Sequence, residues 1–409
     1  MLARVRVGER GRSGAAQRRQ RLDHLGATVG SVRVLHVIDR FRRGGTERNV
    51  EHFICGEVER GREVDLAVLG HGGYEPDVPD SVSVYPLRRA GELTSPLAIA
   101  RAVHDLRSLL IPGRYDIVHS HKSKAGVITR LAARRHVPAV VHTLHMASFG
   151  ADAYGWAPSA AYLAAERACA HVTDVLVAVG EDIRALYLTA CVGRPEQYVV
   201  VRSPVELDAF VRTREWSATR RAEIRRSLEV SADARLLLTV GLLEPRKRPS
   251  LILRAMAPLL ARGEAVLAFV GEGPDETRLL ALASELGLSS QLRFLGHVSD
   301  PAPFFAAADV LVHASRAEGI PQVLLQALAA GLPVVATDVQ GLREIPNAPV
   351  TIVDRSGGGL LAAVSAPNDR PPVPVEALAP WQPDSIREQQ RALHDHVDAL
   401  VARRRGWGT

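Results

Sequence analysis

The sequence predicts an α/β protein built as two doubly wound parallel-sheet domains facing across a cleft. Three observations carry that expectation. A chain of 409 residues is long for one domain and suits two. Short apolar, β-branched runs alternate with stretches of helical period, which is how parallel strands covered on both faces read. The alternation runs twice, and a charged, helix-like stretch from residue 207 to 230 separates the two runs. Ligands of such a pair bind beyond the C-terminal ends of the strands, in the cleft between the domains.

The first run opens with "VRVLHVI" at residues 32–38, a buried strand. "EVDLAVLG", "DIVHSH", "PAVVHTLH", "TDVLVAVG" and "YVVVRSPV" follow as strands with helical stretches between them. The second run is "ARLLLTVG", "AVLAFVGEG", "QLRFLG", "ADVLVHAS", "PVVATD" and "VTIVD". From the end of "ADVLVHAS" through "PVVATD" runs a helix-to-strand unit of particular interest, "SRAEGIPQVLLQALAAGLPVVATD" at 315–338. There Ile320, Val323, Leu324, Ala327 and Leu328 share one helical face, and Glu318, Gln322 and Gln326 share another. Gly331 stops that helix and Pro333 follows it. After Asp354 the pattern weakens. Residues 366–383 hold six prolines and read as extended, and a last amphipathic helix starts near Asp384 or Ser385. It carries Ile386, Leu393, Val397, Leu400 and Val401 on one side, an apolar stripe that must be covered, and we expect it to return onto the first domain.

The expected organisation is a basic extension at 1–30, a first domain at 31–206, a linker region at 207–230, a second domain at 231–365 and a Pro-rich crossing segment with a terminal helix at 366–409. Seven arginines against Glu9 and Asp23 place five of the net charge of +6 in the first 30 residues, so the rest of the chain is near neutral. The extension lacks periodicity and reads as a solvated tail. With 5% aromatic residues, stacking on single-stranded nucleic acid is not favoured. Cys55, Cys169 and Cys191 have neither metal-ligand nor disulfide-framework spacing, which suits a reducing cytoplasm. No apolar run reaches the length of a membrane span, and the N-terminus has no apolar signal core.

Several strand-end loops can carry chemistry. In "DRFRRGGTERNVEHF", Gly44 and Gly45 allow a close approach to backbone and Thr46 can cap the following helix. In "TVGLLEPRKRPSLIL", Lys247 with Arg246 and Arg248 offers positive charge near the cleft. Taken alone, these are an ordinary βα turn and a solvated basic loop. "VGEGPDETRLLALASELG" supplies Gly271 and Gly273 and a helix from Pro274 to Leu286, but it lacks the third glycine of a dinucleotide fingerprint. No D-x-D pattern for a catalytic metal occurs in the chain.

Taken together and in this order, the loops resemble a known family. The chain looks like a retaining glycosyltransferase of the GT-B fold, family 4 type (glycosyl transferases group 1), with Rossmann-like halves. The resemblance covers about residues 32–346 and is most specific over 239–345. The family's G-R-L-x-x-x-K loop appears as "GLLEPRK", where Gly241 and Lys247 match and Leu242 replaces the usual Arg. "GEGP", "FLGHV" with His297 and Val298, Glu318–Gly319–Ile320 with Gln326, and "QGLREI" with Gly341 and Glu344 match further family elements. In the first half, "GGTE", "VHSHKSKAG" and "HTLHMASF" resemble acceptor-side loops, with His145 at the family's T-x-H position.

The resemblance implies a nucleotide-sugar substrate, no cofactor and no metal. The leaving diphosphate would be held by cations and helix-start amides. It implies that Lys247 faces the diphosphate, with Arg246 or Arg248 open as the stand-in for the Arg that Leu242 replaces, and that the Gly319 and Ile320 amides face its phosphates. Glu318 would contact the donor sugar, His145 would hydrogen-bond it, and Gln326, about 80° further round a helix, would face the ribose. Acceptors of the family include sugars, lipid-linked sugars and small molecules, at the inner face of a membrane or in the cytoplasm. Nucleic acid is not implied. Two further readings stay open: an impaired relative that binds nucleotide sugar, motivated by Leu242 and Gln326, and a GT-B epimerase. Because residues 1–30 have almost no apolar surface to bury, deleting them should leave the melting temperature unchanged within error. A fall of several degrees would show that the arm packs on a domain.

Overall fold

The computed structural model describes residues 31–41, 44–70, 73–87, 95–133, 136–150, 155–345, 347–367 and 370–405. The basic extension and the last four residues lie outside them. Two all-parallel sheets form. The first has seven strands: β1 (Arg33–Ile38), β2 (Glu63–Val68), β3 (Ser83–Pro86), β4 (Ile117–His121), β5 (Ala139–Leu144), β6 (Val175–Ala178) and β7 (Tyr198–Val200), in the order 3-2-1-4-5-6-7. The second has six: β8 (Arg235–Val240), β9 (Ala265–Val270), β10 (Leu292–Phe294), β11 (Val310–His313), β12 (Val334–Thr337) and β13 (Val350–Val353), in the order 10-9-8-11-12-13. In each sheet the order reverses beside its first strand, next to β4 and next to β11. Loops after those strands therefore diverge and leave a crevice at the C-terminal edge. Strand β3 escapes the sequence reading because it is a short edge strand, half-buried throughout, with no apolar run to announce it.

Helices α1 (Gly45–Glu59), α2 (Pro96–Leu109), α3 (Ser123–Ala133), α4 (Trp156–Ala170) and α5 (Glu181–Thr189) cover the first sheet. Helix α1 starts at Gly45 with Gly44 as its cap, so Thr46 lies inside the first turn and caps nothing. The stretch at 207–230 forms two helices, α6 (Asp208–Arg212) and α7 (Ala218–Ser227). It does not bridge open space: Leu207, Phe210, Leu228 and Val230 are buried in one core with Leu236, Leu238, Phe305 and Leu328 of the second half. Helices α8 (Pro249–Ala261), α9 (Glu276–Glu285), α10 (Ala302–Ala307), α11 (Gln322–Ala330) and α12 (Leu360–Ser365) cover the second sheet.

Helix α11 begins later than its apolar period suggests. Pro321 is its cap at φ −66°, and a residue before proline is driven away from helical dihedrals, so Glu318, Gly319 and Ile320 remain a loop. Glu318 and Gln326 therefore do not lie on one helix, and the angular argument that related them does not apply. Gly331 closes the helix in a left-handed conformation at φ 75°. The Pro-rich segment is not wholly extended either: Val375–Trp381 turns as a 3-10 helix and buries Leu378 and Trp381.

The final helix α13 (Pro383–Arg405) returns to the first half. Ile386, Leu393, Val397 and Val401 are buried with Val34, Phe53, Ile117, Val141 and Val175. Its polar side is tied by Arg60 to Asp398 at 3.1 Å and by Arg62 to Asp398 at 2.5 Å. Among the described residues, no helix is long and apolar enough to cross a membrane. Leu393 is 2% exposed, so Leu393→Ala should cost about 2–5 kcal/mol, read as a lowered urea midpoint. A loss under 0.5 kcal/mol would mean that the helix contributes little to the fold.

Candidate functional site

The site is built where the two C-terminal sheet edges meet. After β8 the chain turns through Gly241 and Leu242 to Glu244, Arg246, Lys247 and Arg248. After β11 it runs through Ser315 to Glu318. These loops are bound to each other: the Arg316 N–H donates to the Arg246 carbonyl at 2.9 Å, and Arg246 Nη1 donates to the Ala317 carbonyl at 2.9 Å. Glu318 is 7% exposed and sits among cations. Its Oε1 lies 2.5 Å from Lys247 Nζ and 3.0 Å from Arg246 Nη1. His313 Nε2 stands 3.6 Å away, beyond hydrogen-bond reach. Burial alone would push the Glu318 carboxyl up. Lys247 first, then His313 and Arg246, overcome that and hold it well below the usual range, so it is ionised at neutral pH. Arg246 Nη2 also donates to Glu244 Oε1 at 2.7 Å.

Leu242 is 36% exposed and carries no charge into the site. Arg246 instead stands beside Lys247. Arg248 is committed elsewhere: it adopts a left-handed conformation at φ 51° and donates to the carbonyls of Ala314 at 2.5 Å and Ser315 at 3.2 Å, and to the Thr337 hydroxyl at 3.0 Å. It fixes the loop and is not a free cation.

Gly319 and Ile320 are buried, and among the described residues their N–H groups donate to no protein acceptor. Two unpaired amides directly before a helix start suit an anion. Gly319 is also where the halves touch. A Cβ there would stand 2.1 Å from the His145 carbonyl oxygen and 2.8 Å from Val179, so only glycine fits. On the same seam a Cβ on Gly45 would come within 2.9 Å of the Gln322 carboxamide. Gln326, one turn beyond Gln322 on α11, is half-buried.

Gly271 and Gly273 have a packing role. A Cβ on Gly271 would meet the Gly241 carbonyl oxygen at 2.1 Å, and one on Gly273 the Leu243 carbonyl at 2.4 Å. The N–H groups of Gly241 and Gly271 are spent on Val270 and Gly296 carbonyls at 2.9 and 2.7 Å. These glycines let the loops after β8 and β9 touch, and the two amides are not free for a phosphate. His297 is exposed on the loop after β10, and no hydrogen bond or ion pair joins it to Glu318; Val298 packs on the second-domain core.

Across the seam from Gly319, His145 is half-buried just past the end of β5. Its Nε2 lies 3.2 Å from His121 Nδ1, and His121 Nε2 lies 2.9 Å from His36 Nδ1. Burial drives His145 down to about 3, assisted by the charge of Lys122, and His36 down to about 4. His119, His121 and His142 are held well below the ordinary value, chiefly by burial. Sequence reasoning missed this network. Its signal was "VHSH", two histidines spaced to share one strand face. Glu344, matched in the sequence with Gly341, accepts from the Asp182 N–H at 2.8 Å and faces Arg202 at 3.3 Å, while Asp182 accepts from the Gly341 N–H at 2.9 Å.

A two-domain α/β protein with an anion-suited loop at the domain seam is defined by these features. The glycosyl transferase 4-like domain profile matches residues 44–204, and the glycosyl transferases group 1 profile matches residues 220–354. The D-inositol 3-phosphate glycosyltransferase of Thermobispora bispora is 35% identical over 248 residues, covering 57% of this chain and 56% of the relative. The chain thus spans little more than half the length of that relative. The D-inositol 3-phosphate glycosyltransferase of Thermomonospora curvata is 32% identical over 318 residues, covering 69% of this chain and 72% of the relative. The crystal structure of HepE from Anabaena in complex with UDP aligns with a TM-score of 0.66 at 19% identity, covering 89% of this chain and 100% of that one, a likeness of fold. The chain belongs to the group 1 family of glycosyl transferases and has the GT-B fold.

The buried histidines make stability depend on pH. A group with a depressed folded value stays neutral in the native state, while the unfolded chain binds a proton below 6.5. The stability is complete above that value and is lost as pH falls towards about 4, on the order of 3 kcal/mol from His36 alone. The urea midpoint should therefore drop between pH 7.5 and pH 5. A flat midpoint over that range would show that His36 titrates in the native state as it does in the unfolded chain.

Proposed function

We propose that this chain is a hexosyl-type glycosyltransferase that moves a sugar from a nucleotide-sugar donor to an acceptor hydroxyl with retention at the anomeric carbon. The observation that carries this reading is Glu318, ionised between Lys247 and Arg246 and followed by the unpaired Gly319 and Ile320 amides. In the reaction the acceptor oxygen bonds to the anomeric carbon on the face the diphosphate leaves. The bond from that carbon to the phosphate oxygen breaks, the leaving phosphate takes the acceptor's proton, and a nucleoside diphosphate departs. Lys247, Arg246 and the two amides stabilise the charge growing on the diphosphate. Glu318 holds the cations in place and offers its carboxylate to the sugar. His145 borders the sugar from the opposite domain.

Arg246 favours transfer over an impaired binding protein, because it keeps a second cation beside Lys247 although Leu242 has none. The UDP named with HepE makes UDP-sugars the first donors to test. The relatives' names make a polyol phosphate such as inositol phosphate the first acceptor to test. A saccharide chain, a glycolipid or a small glycoside is the wider acceptor class, and contact with a membrane surface would follow from a lipid-linked one. An epimerase would release free sugar or a rearranged donor without an acceptor, which the same assay reads.

Lys247→Ala should lower kcat/KM about 100-fold or more, the scale of a lost charge-stabilising donor. Activity near that of the wild type would remove Lys247 from the site. Because cations and amides supply the stabilisation here, turnover should survive exhaustive chelation; abolition by EDTA with recovery on adding Mg²⁺ or Mn²⁺ would overturn the metal-free scheme.

Gln326 separates ribose from sugar contacts. Gln326→Glu should tighten nucleoside diphosphate binding several-fold, because a neutral hydrogen bond becomes charge-assisted, worth about 1 kcal/mol more. A 2′,3′-dideoxy nucleotide should show little of the gain. Glu318→Gln should cut turnover with less effect on nucleotide affinity. Unchanged calorimetry and kinetics in both variants would place the donor site elsewhere.

A further inference from the structure

Five histidines of the first domain lie on three adjacent strands or just beyond them, and the donor site as described uses only one. His36 on β1 and His119 on β4 are register partners, and His121 follows two residues on, so the three share one face of the sheet. His36 and His121 are 0% exposed, whereas His145 is half-buried and is the member of the chain that opens to the seam. His36 Nδ1 and His121 Nε2 are 2.9 Å apart, their ring planes differ by 10° and their centroids are 5.2 Å apart, so the nitrogens point at one another. His121 Nδ1 and His145 Nε2 are 3.2 Å apart. Each link uses one nitrogen of each ring, which makes a continuous line from His36 to His145.

A metal reading is the competing one, since one ligand atom each from His36, His119 and His121 can be chosen within 4.8 Å of one another. The closest pair, at 2.9 Å, has the separation of a shared proton, shorter than the roughly 3.4 Å edge of a tetrahedral site with metal–nitrogen bonds near 2.0–2.1 Å. His119 Nε2 is in addition engaged with the Thr143 hydroxyl at 2.7 Å. The hydrogen-bond reading fits the distances without moving a ring.

We propose that His36 and His121 are positioning residues that set the tautomer of His145, so that it presents Nδ1–H at the domain seam as a hydrogen-bond donor. The direction of the chain follows from its buried end. Among the described residues, His36 Nε2 has no hydrogen-bond partner. Orphaned buried N–H groups are rarer than orphaned acceptors, so this nitrogen is the bare one. The charge of Glu57 reaches His36, but its Oε2 is held by Arg62 and its Oε1 faces His394 Nε2 at 3.2 Å. A neutral ring carries one proton. His36 then donates from Nδ1 to His121 Nε2, and His121 donates from Nδ1 to His145 Nε2. The proton of His145 is left on Nδ1. Burial keeps all three rings neutral, so no ring carries two protons and breaks the order. In this state His145 gives a hydrogen bond to a ligand oxygen from Nδ1 and cannot take a proton there.

The use of that donor on the sugar rests on the transfer reading above; the tautomer itself does not. The test is imidazole ¹⁵N NMR on the full chain labelled at histidine, at pH 7.5, with the His145 signals assigned from His145→Gln. The expected spectrum shows His145 as the neutral Nδ1–H tautomer. In His121→Phe the tautomer should relax towards the free-solution mixture, and kcat should fall about ten- to hundredfold, the scale of a misplaced contact group. His121→Asn, whose amide N–H stands where Nδ1–H stood, should restore both the tautomer and most of kcat. Should His121→Phe fail to fold, the wild-type spectrum alone decides the assignment. An Nε2–H tautomer in the wild type, an unchanged tautomer in a folded His121→Phe, or one tightly held zinc ion per chain would each overturn the proposal. A tautomer that shifts while turnover does not would uphold the histidine chain and overturn the role of His145 in transfer.

Discussion

The contact of Gly319 with the His145 carbonyl is the constraint on which the site depends. Side chains are excluded there because a Cβ would stand 2.1 Å from the carbonyl oxygen. The loop after β11 can therefore press against the end of β5, and the C-terminal edges of both sheets share one crevice. Glu318 precedes this contact and Ile320 follows it. The carboxylate, the two unpaired amides and His145 thus come from two domains but are fixed by one backbone-to-backbone approach. A larger residue at 319 would push the halves apart and take the amides away from the histidine chain.

Charge in the crevice is compensated before any ligand arrives. Glu318 is shared by Lys247 and Arg246, and Arg246 is shared again by Glu244. A buried carboxylate without those cations would take up a proton, and buried cations without it would cost desolvation. The ions therefore hold one another in place. Under the proposed transfer, an incoming diphosphate would meet cations already oriented, which is the preorganisation that makes electrostatic stabilisation effective. Burial has the opposite consequence on the facing domain. The histidines have no carboxylate within hydrogen-bond reach along the chain from His36 to His145, so they stay neutral and order themselves by tautomer. Under the proposed transfer, fixed charge on one side and fixed dipoles on the other suit an anion next to a neutral polyol.

The two halves are also tied away from the crevice. Glu344 of the second half caps the first turn of α5 through the Asp182 N–H, and Asp182 in return accepts from the Gly341 N–H. Arg202, just past β7, completes the exchange with Glu344. Helix α13 adds an apolar tie, since its stripe is buried on the first sheet although it follows the second domain in sequence. The chain crosses the seam twice, and both crossings end in burial. The domain arrangement thus rests on packing as well as on the short loops at the site.

The sequence by itself determined every strand but β3. Short apolar runs such as "ARLLLTVG" read as strands of a covered parallel sheet, and the loops that hold Lys247 and Glu318 were legible from their place after such runs. Period alone could not place the start of α11, because Pro321 overrides the apolar repeat of Ile320. Nor could it show that residues 207–230 join the second core, since burial of Phe210 and Leu228 depends on surfaces contributed by residues far along the chain. Tertiary structure alone decided that Arg246 stands beside Lys247 at Glu318, that Arg248 is spent on carbonyls, and that Gly241 and Gly271 serve packing. It also decided that His36, His121 and His145 form one line. The reason is common to all of these. A residue's partners across strands and domains are set by register and by close approach, and neither is written in the spacing of residues along one chain.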